Sequence, residues 1–121
     1  MAELIDLKTF TDVRGNLTVI ERCIPFDVKR IFYIYGVDDS VRGGHRHHET
    51  IQAAVCIQGS CTIYCNNGES GFEYQLNAPY KCLLLQPEDW HTMSNFSSDA
   101  ILMVLASEYF NQSDYIYEPY S

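Results

Sequence analysis

Long apolar runs are absent: no stretch of about 18 consecutive apolar residues occurs, so no membrane-spanning helix is predicted. The opening Met-Ala-Glu-Leu-Ile-Asp lacks the basic start and apolar core of a secretory signal peptide. We therefore expect a cytoplasmic protein with no membrane partner. No repeat, low-complexity segment or linker divides the chain, which predicts a single domain over residues 1–121.

Paired cysteine motifs are also missing, since no Cys-x-x-Cys occurs and the cysteine count is odd. Cys61 and Cys65 would share one face of a strand, which could bring two thiols together. We interpret the cysteines instead as small apolar fillers in a reducing compartment. The five are Cys23, Cys56, Cys61, Cys65 and Cys82.

Basic residues are scarce: 8 Lys and Arg stand against 16 Asp and Glu, and the net charge of −8 argues against a nucleic-acid partner. Seven of the eight cations lie within residues 1–46, which leaves Lys81 alone in the rest. They are either solvated surface charge or a basic patch suited to a small anion such as a nucleotide or phosphate ester. The candidate patch is Arg14, Lys29, Arg30, Arg42 and Arg46.

Helical periodicity is weak throughout, and short runs rich in β-branched and aromatic residues dominate. Their spacing of roughly 8 to 12 residues is typical of an all-β sandwich or barrel. Gly59-Ser60 predicts a hairpin turn. A short helical turn is expected near residues 107–114, and the aromatic tail 115–120 is expected to dock on the domain or on a partner subunit. The predicted strands are residues 16–21, 28–37, 51–58, 61–65, 71–76, 81–86 and 100–107.

The most informative motif is Arg42-Gly43-Gly44-His45-Arg46-His47-His48. His45 and His47 lie two residues apart, so in an extended segment both imidazoles face one cavity, with Arg42 nearby. Histidine titrates near neutral pH. The pair therefore indicates either a metal site or acid–base chemistry.

The order of these residues resembles the two cupin motifs, which implies a double-stranded β-helix, or jelly-roll, barrel. Gln52 stands where metal-binding cupins carry Glu. His45, His47 and His91 could still hold a divalent cation, but without the carboxylate the affinity falls and the imidazoles are free to move protons. Hydrogen bonding within a β core is the third alternative. The residues that match the motifs are Gly44, His45, His47, Gly59, Pro87, His91 and Asn95.

A closer resemblance covers nearly the whole chain. Six motifs in order resemble the nucleotide-sugar 3,4-ketoisomerases, small WxcM-like cupins that act on dTDP-4-keto-6-deoxy-D-glucose. Arg46, Phe32 and Thr92 depart from the family pattern, where Ala, Tyr and Glu are usual. The motifs are Asp12–Leu17, Ile24–Tyr33, Arg42–His47, Trp90–Ser97, Val104–Tyr109 and Asp114–Ile116.

The resemblance implies conversion of this substrate to a dTDP-3-keto-6-deoxyhexose by metal-independent acid/base tautomerisation, with no cofactor. The product would serve synthesis of 3-amino-3,6-dideoxy sugars for bacterial surface glycans such as lipopolysaccharide O-antigen or S-layer glycans. Both the xylo and the ribo product stay open. The family is typically a homodimer with exchanged strands, in which Arg14 would serve its own or the partner's pocket.

The resemblance also implies roles for particular residues. His47 is expected to be the base and His45 its partner or relay, although the two roles could be exchanged. Tyr33 would donate to an enediolate oxygen, and Arg42 would polarise the sugar oxygens or bind phosphate. Lys29 and Arg30 alternate along a strand, so only one should face the cavity. The expected substrate-binding residues are Arg14 and Arg30 for the diphosphate, Trp90 and His91 for closing the pocket, and Gln52.

Three other functions stay open. A metal-dependent cupin enzyme, such as a dioxygenase or isomerase, would contain stoichiometric metal and lose activity to a chelator. A 3,5-epimerase would move protons at C3 and C5 of the same class of substrate. A non-catalytic nucleotide-sugar-binding module would bind dTDP and leave the sugar unchanged.

Overall fold

The computed structural model describes residues 1–121 and contains twelve β-strands, one 3₁₀ turn at Gln112–Asp114 and no α-helix. No helix is therefore long and apolar enough to span a membrane. In chain order the strands are β1 (Glu3–Asp6), β2 (Lys8–Asp12), β3 (Gly15–Val19), β4 (Arg30–Ile34), β5 (Arg42–His47), β6 (Gln52–Gln58), β7 (Cys61–Asn66), β8 (Gly71–Leu76), β9 (Lys81–Leu85), β10 (Trp90–Ser94), β11 (Ile101–Ala106) and β12 (Tyr115–Ile116).

Two five-stranded antiparallel sheets form the body of the fold. The first sheet has the order β1-β9-β6-β11-β4 and the second has the order β12-β5-β10-β7-β8, while β2 and β3 form a separate hairpin. From β4 onward the chain passes back and forth between the two sheets, as in a jelly roll, except that β7 and β8 form a hairpin within the second sheet. The all-β, single-domain barrel expected from the sequence is the fold observed.

The core lies between the two sheets, where alternate residues of each strand point inward. Ala54 and Cys56 of β6 and Leu102 and Val104 of β11 pack there against Ile63 of β7, and all five are fully buried. The residues of the first sheet that alternate with these core residues face the opposite side of the sheet, and they are buried too. They pack against the segment that leads from β3 to β4. This second cluster contains Leu7, Ala53, Val55, Cys82, Leu84 and Leu105, with Ile20, Ile24 and Phe26 against them.

Five predicted strands coincide with β6, β7, β8, β9 and β11 to within about two residues. The predicted helical turn is the 3₁₀ turn, and the aromatic tail docks on the domain through β12. The predicted hairpin at Gly59-Ser60 is wrong, because β6 and β7 belong to different sheets. Gly59 adopts a left-handed conformation and packs closely against residues 97–100, which lets the chain cross from one sheet to the other.

The cysteine interpretation agrees with the structure. All five cysteines are free thiols, and four of them are buried in the apolar clusters. Burial raises the pKa of Cys65 and of Cys82 to about 12, so both stay protonated. Cys23 is exposed.

Candidate active site

Three histidines meet at one end of the barrel interior. His45 and His47 occupy alternate positions of β5, and His91 of β10 lies opposite His45 in the sheet register. The ring centroid of His45 is 5.0 Å from that of His47 and 4.9 Å from that of His91. The sequence spacing thus brings the pair to one face, and the second cupin-like motif supplies the third ring.

Two glycines set the path of β5. Gly43 and Gly44 both have positive φ, 82° and 80°, a conformation that side-chain-bearing residues rarely adopt. A Cβ on Gly43 would lie 3.0 Å from the carbonyl oxygen of His91. This close approach places β5 against β10 at the point where the pairing register shifts, between His91 and Thr92.

A cavity of about 260 Å³ opens beside the ring of His45, while His47 and His91 lie buried behind it. Arg30 and Arg42 give it a cationic border, and the buried amide of Gln52 lies at its inner side. Such a combination suits an anionic ligand with a polar, uncharged portion. The lining residues are Arg30, Phe32, Tyr33, Ile34, Arg42, Gly43, His45, Gln52, Met93 and Tyr115.

All three imidazoles are neutral at physiological pH. Burial lowers the pKa of each to about 4. The neighbouring histidines lower each value further, and for His47 Arg30 adds to the shift. Neutral imidazoles have a free lone pair, so they can accept protons.

The hydrogen bond of His91 defines its tautomer. Its Nδ1 lies 3.0 Å from the carbonyl oxygen of Asp89, which can only accept, so Nδ1–H donates. Nε2 of His91 is therefore an acceptor. It is buried and has no hydrogen-bond partner in the chain.

Unpartnered polar atoms concentrate at this end of the barrel. They include Nε2 of His47, Nε2 of His91 and Oε1 of Gln52, all buried. Each such group costs on the order of 1–3 kcal/mol of stability. Clusters of this kind are typical of sites that complete their hydrogen bonds with a ligand.

The arginine predictions separate into two groups. Arg30 points into the cavity, where its guanidinium lies over the rings of Phe32 at 4.5 Å and Phe110 at 5.3 Å. Lys29 points elsewhere and pairs with Glu108 at 3.4 Å, as the alternation predicts. Arg14 lies outside the cavity of its own chain, 87% exposed in the turn of the β2–β3 hairpin and paired with Asp12.

Tyr33 borders the cavity, but its ring is not among the aromatic neighbours of the histidines. Phe32 and Ile34 are the inward residues of β4, so the Tyr33 ring lies on the outer face, 63% exposed and stacked on Tyr35 at 5.9 Å. The inward position thus carries Phe32, which has no hydroxyl. Trp90, by contrast, lies outside the lining: its indole Nε1–H donates to the carbonyl oxygen of Tyr117 at 3.2 Å.

The structure adds one aromatic residue that sequence reasoning did not place in the site. The ring centroid of Tyr115 lies 4.6 Å from that of His45 and 4.7 Å from that of His47. Its strand pairs with β5 across almost seventy residues of chain. The signals in the sequence were the aromatic character of the tail and the motif Asp114–Ile116, neither of which placed Tyr115 beside the histidines.

The donor set differs from that of a cupin metal site at one position. Gln52 offers a neutral amide where a carboxylate would complete a cupin metal site. No group of three or more His, Cys, Asp or Glu side chains is arranged to hold a metal ion.

Comparisons with known proteins point to one family, whose model matches the whole chain. Residues 1–121 match the family model described as FdtA: WxcM-like, C-terminal. The chain is 40% identical over 117 residues to a TDP-4-oxo-6-deoxy-alpha-D-glucose-3,4-oxoisomerase from Aneurinibacillus thermoaerophilus, covering 94% of this chain and 84% of that protein.

Solved structures give the same result. A 3,4-ketoisomerase from Helicobacter canadensis superposes with a TM-score of 0.92 at 38% identity, covering 97% of this chain and 90% of that one. A His-to-Asn mutant of the 3,4-ketoisomerase QdtA from Thermoanaerobacterium thermosaccharolyticum, in complex with TDP-4-keto-6-deoxyglucose, gives 0.93 at 38% identity, with coverages of 97% and 87%. The inward histidines, the jelly roll and these matches together place the chain in the FdtA-type, WxcM-like family.

Proposed function

We propose that this protein is a sugar 3,4-ketoisomerase that converts dTDP-4-keto-6-deoxy-D-glucose to a dTDP-3-keto-6-deoxyhexose. The observation that carries the proposal is the cluster of neutral imidazoles, of which His45 lines a cavity bordered by Arg30 and Arg42. The 40% identical relative is named for this reaction. Such a product supplies the ketone that an aminotransferase needs to make a 3-amino sugar. We place the enzyme in the cytoplasm, where nucleotide sugars are made.

The reaction is an internal tautomerisation. The C4 carbonyl acidifies the C3–H bond, and His47 removes that proton to give an enediolate. The oxygen at C4 takes up one proton and C4 itself receives another, while the O3 hydroxyl loses its proton, so a ketone forms at C3 and a hydroxyl at C4. His45, 5.0 Å from His47 between ring centroids, relays protons between carbon and oxygen. Atoms and electrons balance without an external oxidant.

The charged and polar groups have separate tasks in this proposal. Arg30 binds the diphosphate, since a guanidinium matches phosphate oxygens in a bidentate manner. Arg42 and the amide of Gln52 donate to the sugar oxygens that gain charge in the enediolate. Tyr33 lines the same cavity, so its hydroxyl stays a proposed donor to an enediolate oxygen beside these two groups. His91 contributes a further acceptor at Nε2.

A homodimer with exchanged hairpins is part of the proposal. All five residues of β2 are exposed, and an isolated two-stranded hairpin is only marginally stable. Phe10 and Leu17 pair across it, 53% and 58% exposed. A second copy is the occupant that fits, because the outer face of the first sheet carries a wholly apolar groove of about 420 Å³. The groove is lined by Tyr33, Tyr35, Ile57, Ile101 and Met103.

Light scattering tests the dimer. We expect a mass of twice 13.9 kDa for the wild type and a shift to 13.9 kDa for the Phe10→Ser/Leu17→Ser variant. Phe72→Ser, on the exposed face of β8, is the matched control and stays dimeric. A monomeric wild type at micromolar concentration contradicts the dimer. If Arg14 serves the partner's pocket, mixing Arg14→Ala with His47→Asn chains restores part of the activity that each lacks alone.

Proton NMR of dTDP-4-keto-6-deoxyglucose in deuterated buffer tests the reaction. We expect a new 3-keto species that forms equally well with EDTA, and its configuration at C4 identifies the xylo or ribo product. Loss of activity to EDTA supports a metal-dependent enzyme instead. Deuterium at C3 and C5 without ketone migration indicates an epimerase. Binding of dTDP with an unchanged sugar indicates a binding module.

A further inference from the structure

The C-terminal residues 111–117 form a strap alongside β5, and Tyr115 within it lines the cavity. In this strap, β12 pairs with β5, with Tyr115 opposite His47 and Ile116 opposite Arg46. The backbone N–H of His48 donates to the carbonyl oxygen of Asp114 at 2.9 Å. The strap therefore lies directly against the strand that carries two of the three histidines.

Asp114 anchors the strap through its side chain. Its carboxylate accepts hydrogen bonds from the backbone N–H of Glu49 at 2.9 Å, from the N–H of Thr50 at 3.3 Å and from the Thr50 hydroxyl. A two-residue strand supplies few ladder bonds, so these side-chain bonds carry much of the attachment. Partial burial acts to raise the pKa of Asp114, but the donors at Thr50 and Glu49 outweigh it and hold the group ionised.

Tyr115 contacts both histidine rings of β5 at once. Its centroid lies 4.6 Å from that of His45 in a tilted arrangement and 4.7 Å from that of His47 in an edge arrangement. The ring is itself supported by Phe110 at 5.6 Å and Tyr117 at 6.0 Å. Rotation of either imidazole about its χ2 bond would drive it into this ring.

We propose that the strap is a positioning device for the two histidines: Asp114 locks it to the residues after β5, and the Tyr115 ring fixes both imidazole orientations. This inference rests on the proposed function for its kinetic consequence, but its geometric content is independent of the substrate. Asp114 and Tyr115 act through the imidazoles and are positioning residues.

The strap also sets the electrostatic environment of His47. That imidazole faces His45 on its own strand, His91 on β10, Arg30 on β4 and Tyr115 and Asp114 on the strap. Burial, His45 and Arg30 all lower its pKa, and Asp114 is the anion that opposes them. Removing this charge makes His47 a weaker base, because its protonated form loses its one nearby counter-ion.

Two matched pairs of variants test the strap. Thr50→Val removes a donor to Asp114 at similar volume, and Thr50→Ser keeps the hydroxyl. Tyr115→Leu removes the ring, and Tyr115→Phe keeps it. We expect kcat to fall roughly 10- to 100-fold in Thr50→Val and Tyr115→Leu, with KM changed less than about threefold, since small misplacements of catalytic groups cost this much. We expect the conservative variants, Thr50→Ser and Tyr115→Phe, to keep most of the wild-type activity.

Titration of the imidazoles by ¹H–¹⁵N NMR tests the effect of the strap on His45 and His47 without substrate. In Asp114→Asn we expect the pKa of His47 to fall below that of the wild type, whereas Glu118→Gln, an exposed acid in the same tail, leaves it unchanged. In Tyr115→Leu we expect broadened resonances for His45 and His47, from rotation of the rings.

Three results overturn the strap proposal. They are an unchanged kcat in Thr50→Val and Tyr115→Leu, a Tyr115→Phe variant as impaired as Tyr115→Leu, or unchanged imidazole titrations in Asp114→Asn. If the wild type does not isomerise the sugar, the proposed function fails, and the titrations alone then decide whether the strap positions the imidazoles.

Discussion

The two ends of the barrel interior are built from the same strands but differ in chemistry. Two inward-facing residues of β6 mark the two ends of the interior. Gln52, at the start of the strand, lies at one end, and Cys56, near its close, lies at the other. At the Cys56 end, Ile63 and Leu102 complete a wholly apolar packing with no exposure. At the Gln52 end, imidazoles and an amide are buried with unpartnered atoms.

This difference shows how the fold divides its tasks. Each buried, unpartnered polar group at the histidine end costs about 1–3 kcal/mol, a cost that packing at the apolar end offsets. Natural domains are marginally stable, so such a cost persists where binding or catalysis uses the groups. The apolar end holds the barrel, and the histidine end works on a ligand.

Removing the base should have the largest effect. In His47→Asn we expect kcat to fall by about 10²–10⁴-fold, the usual contribution of a positioned general base, while binding of dTDP measured by calorimetry stays near that of the wild type. Leu102→Ala provides the comparison at the other end and keeps kcat per folded molecule. A His47→Asn variant with wild-type turnover would refute the assignment.

The same Leu102→Ala variant should have the largest effect on stability. Its side chain is fully buried, so we expect the free energy of unfolding to fall by about 2–5 kcal/mol from lost transfer energy and the remaining cavity. Urea denaturation measures it. A loss below about 1 kcal/mol would mean that the apolar end does not hold the barrel as argued.

Removal of a cation at the cavity should have an effect of intermediate size, on the binding of dTDP. We expect Arg30→Ala to weaken dTDP binding about 10- to 100-fold, the value of charge-assisted hydrogen bonds to a diphosphate. Lys29→Ala is the matched control, because its ammonium group pairs with Glu108 away from the cavity. Equal losses in the two variants would indicate a diffuse charge effect rather than a site.

The smallest effect should come from Gln52→Leu. Leucine has a similar volume and removes the unpartnered amide oxygen, so we expect the free energy of unfolding to rise by about 1 kcal/mol while kcat/KM falls. Thermal denaturation and steady-state assays check the two halves. A destabilised variant would show that Gln52 has a structural role in the free protein.

Much of the fold and of the histidine end could be predicted from short-range patterns in the sequence. The spacing of β-type runs indicated the all-β barrel, and the two-residue separation of His45 and His47 placed both rings on one face. The alternation of Lys29 and Arg30 correctly separated a surface cation from a cavity cation. These features depend on the period of a strand, which the sequence displays directly.

Other features depend on long-range pairing and could not be derived locally. The register of β4 turns Phe32 toward the core and leaves Tyr33 on the outer face, where it borders the cavity, and its expected place near the sugar stays a prediction. The role of Tyr115 follows from the pairing of β12 with β5, which no local signal encodes. Gly59-Ser60 has the composition of a hairpin turn, yet it joins β6 of the first sheet to β7 of the second.

The most direct test of the account is the pH dependence of kcat/KM. Burial lowers the pKa of His45 and of His47 to about 4, so both are neutral bases at pH 7. We predict a kcat/KM that is constant from about pH 8 to pH 6 and falls toward pH 4. Stability should fall in the same direction, because the unfolded state, with histidine pKa values near 6.5, takes up protons first. A kcat/KM that falls as the pH rises through 6.5 would require a protonated imidazole and contradict the account.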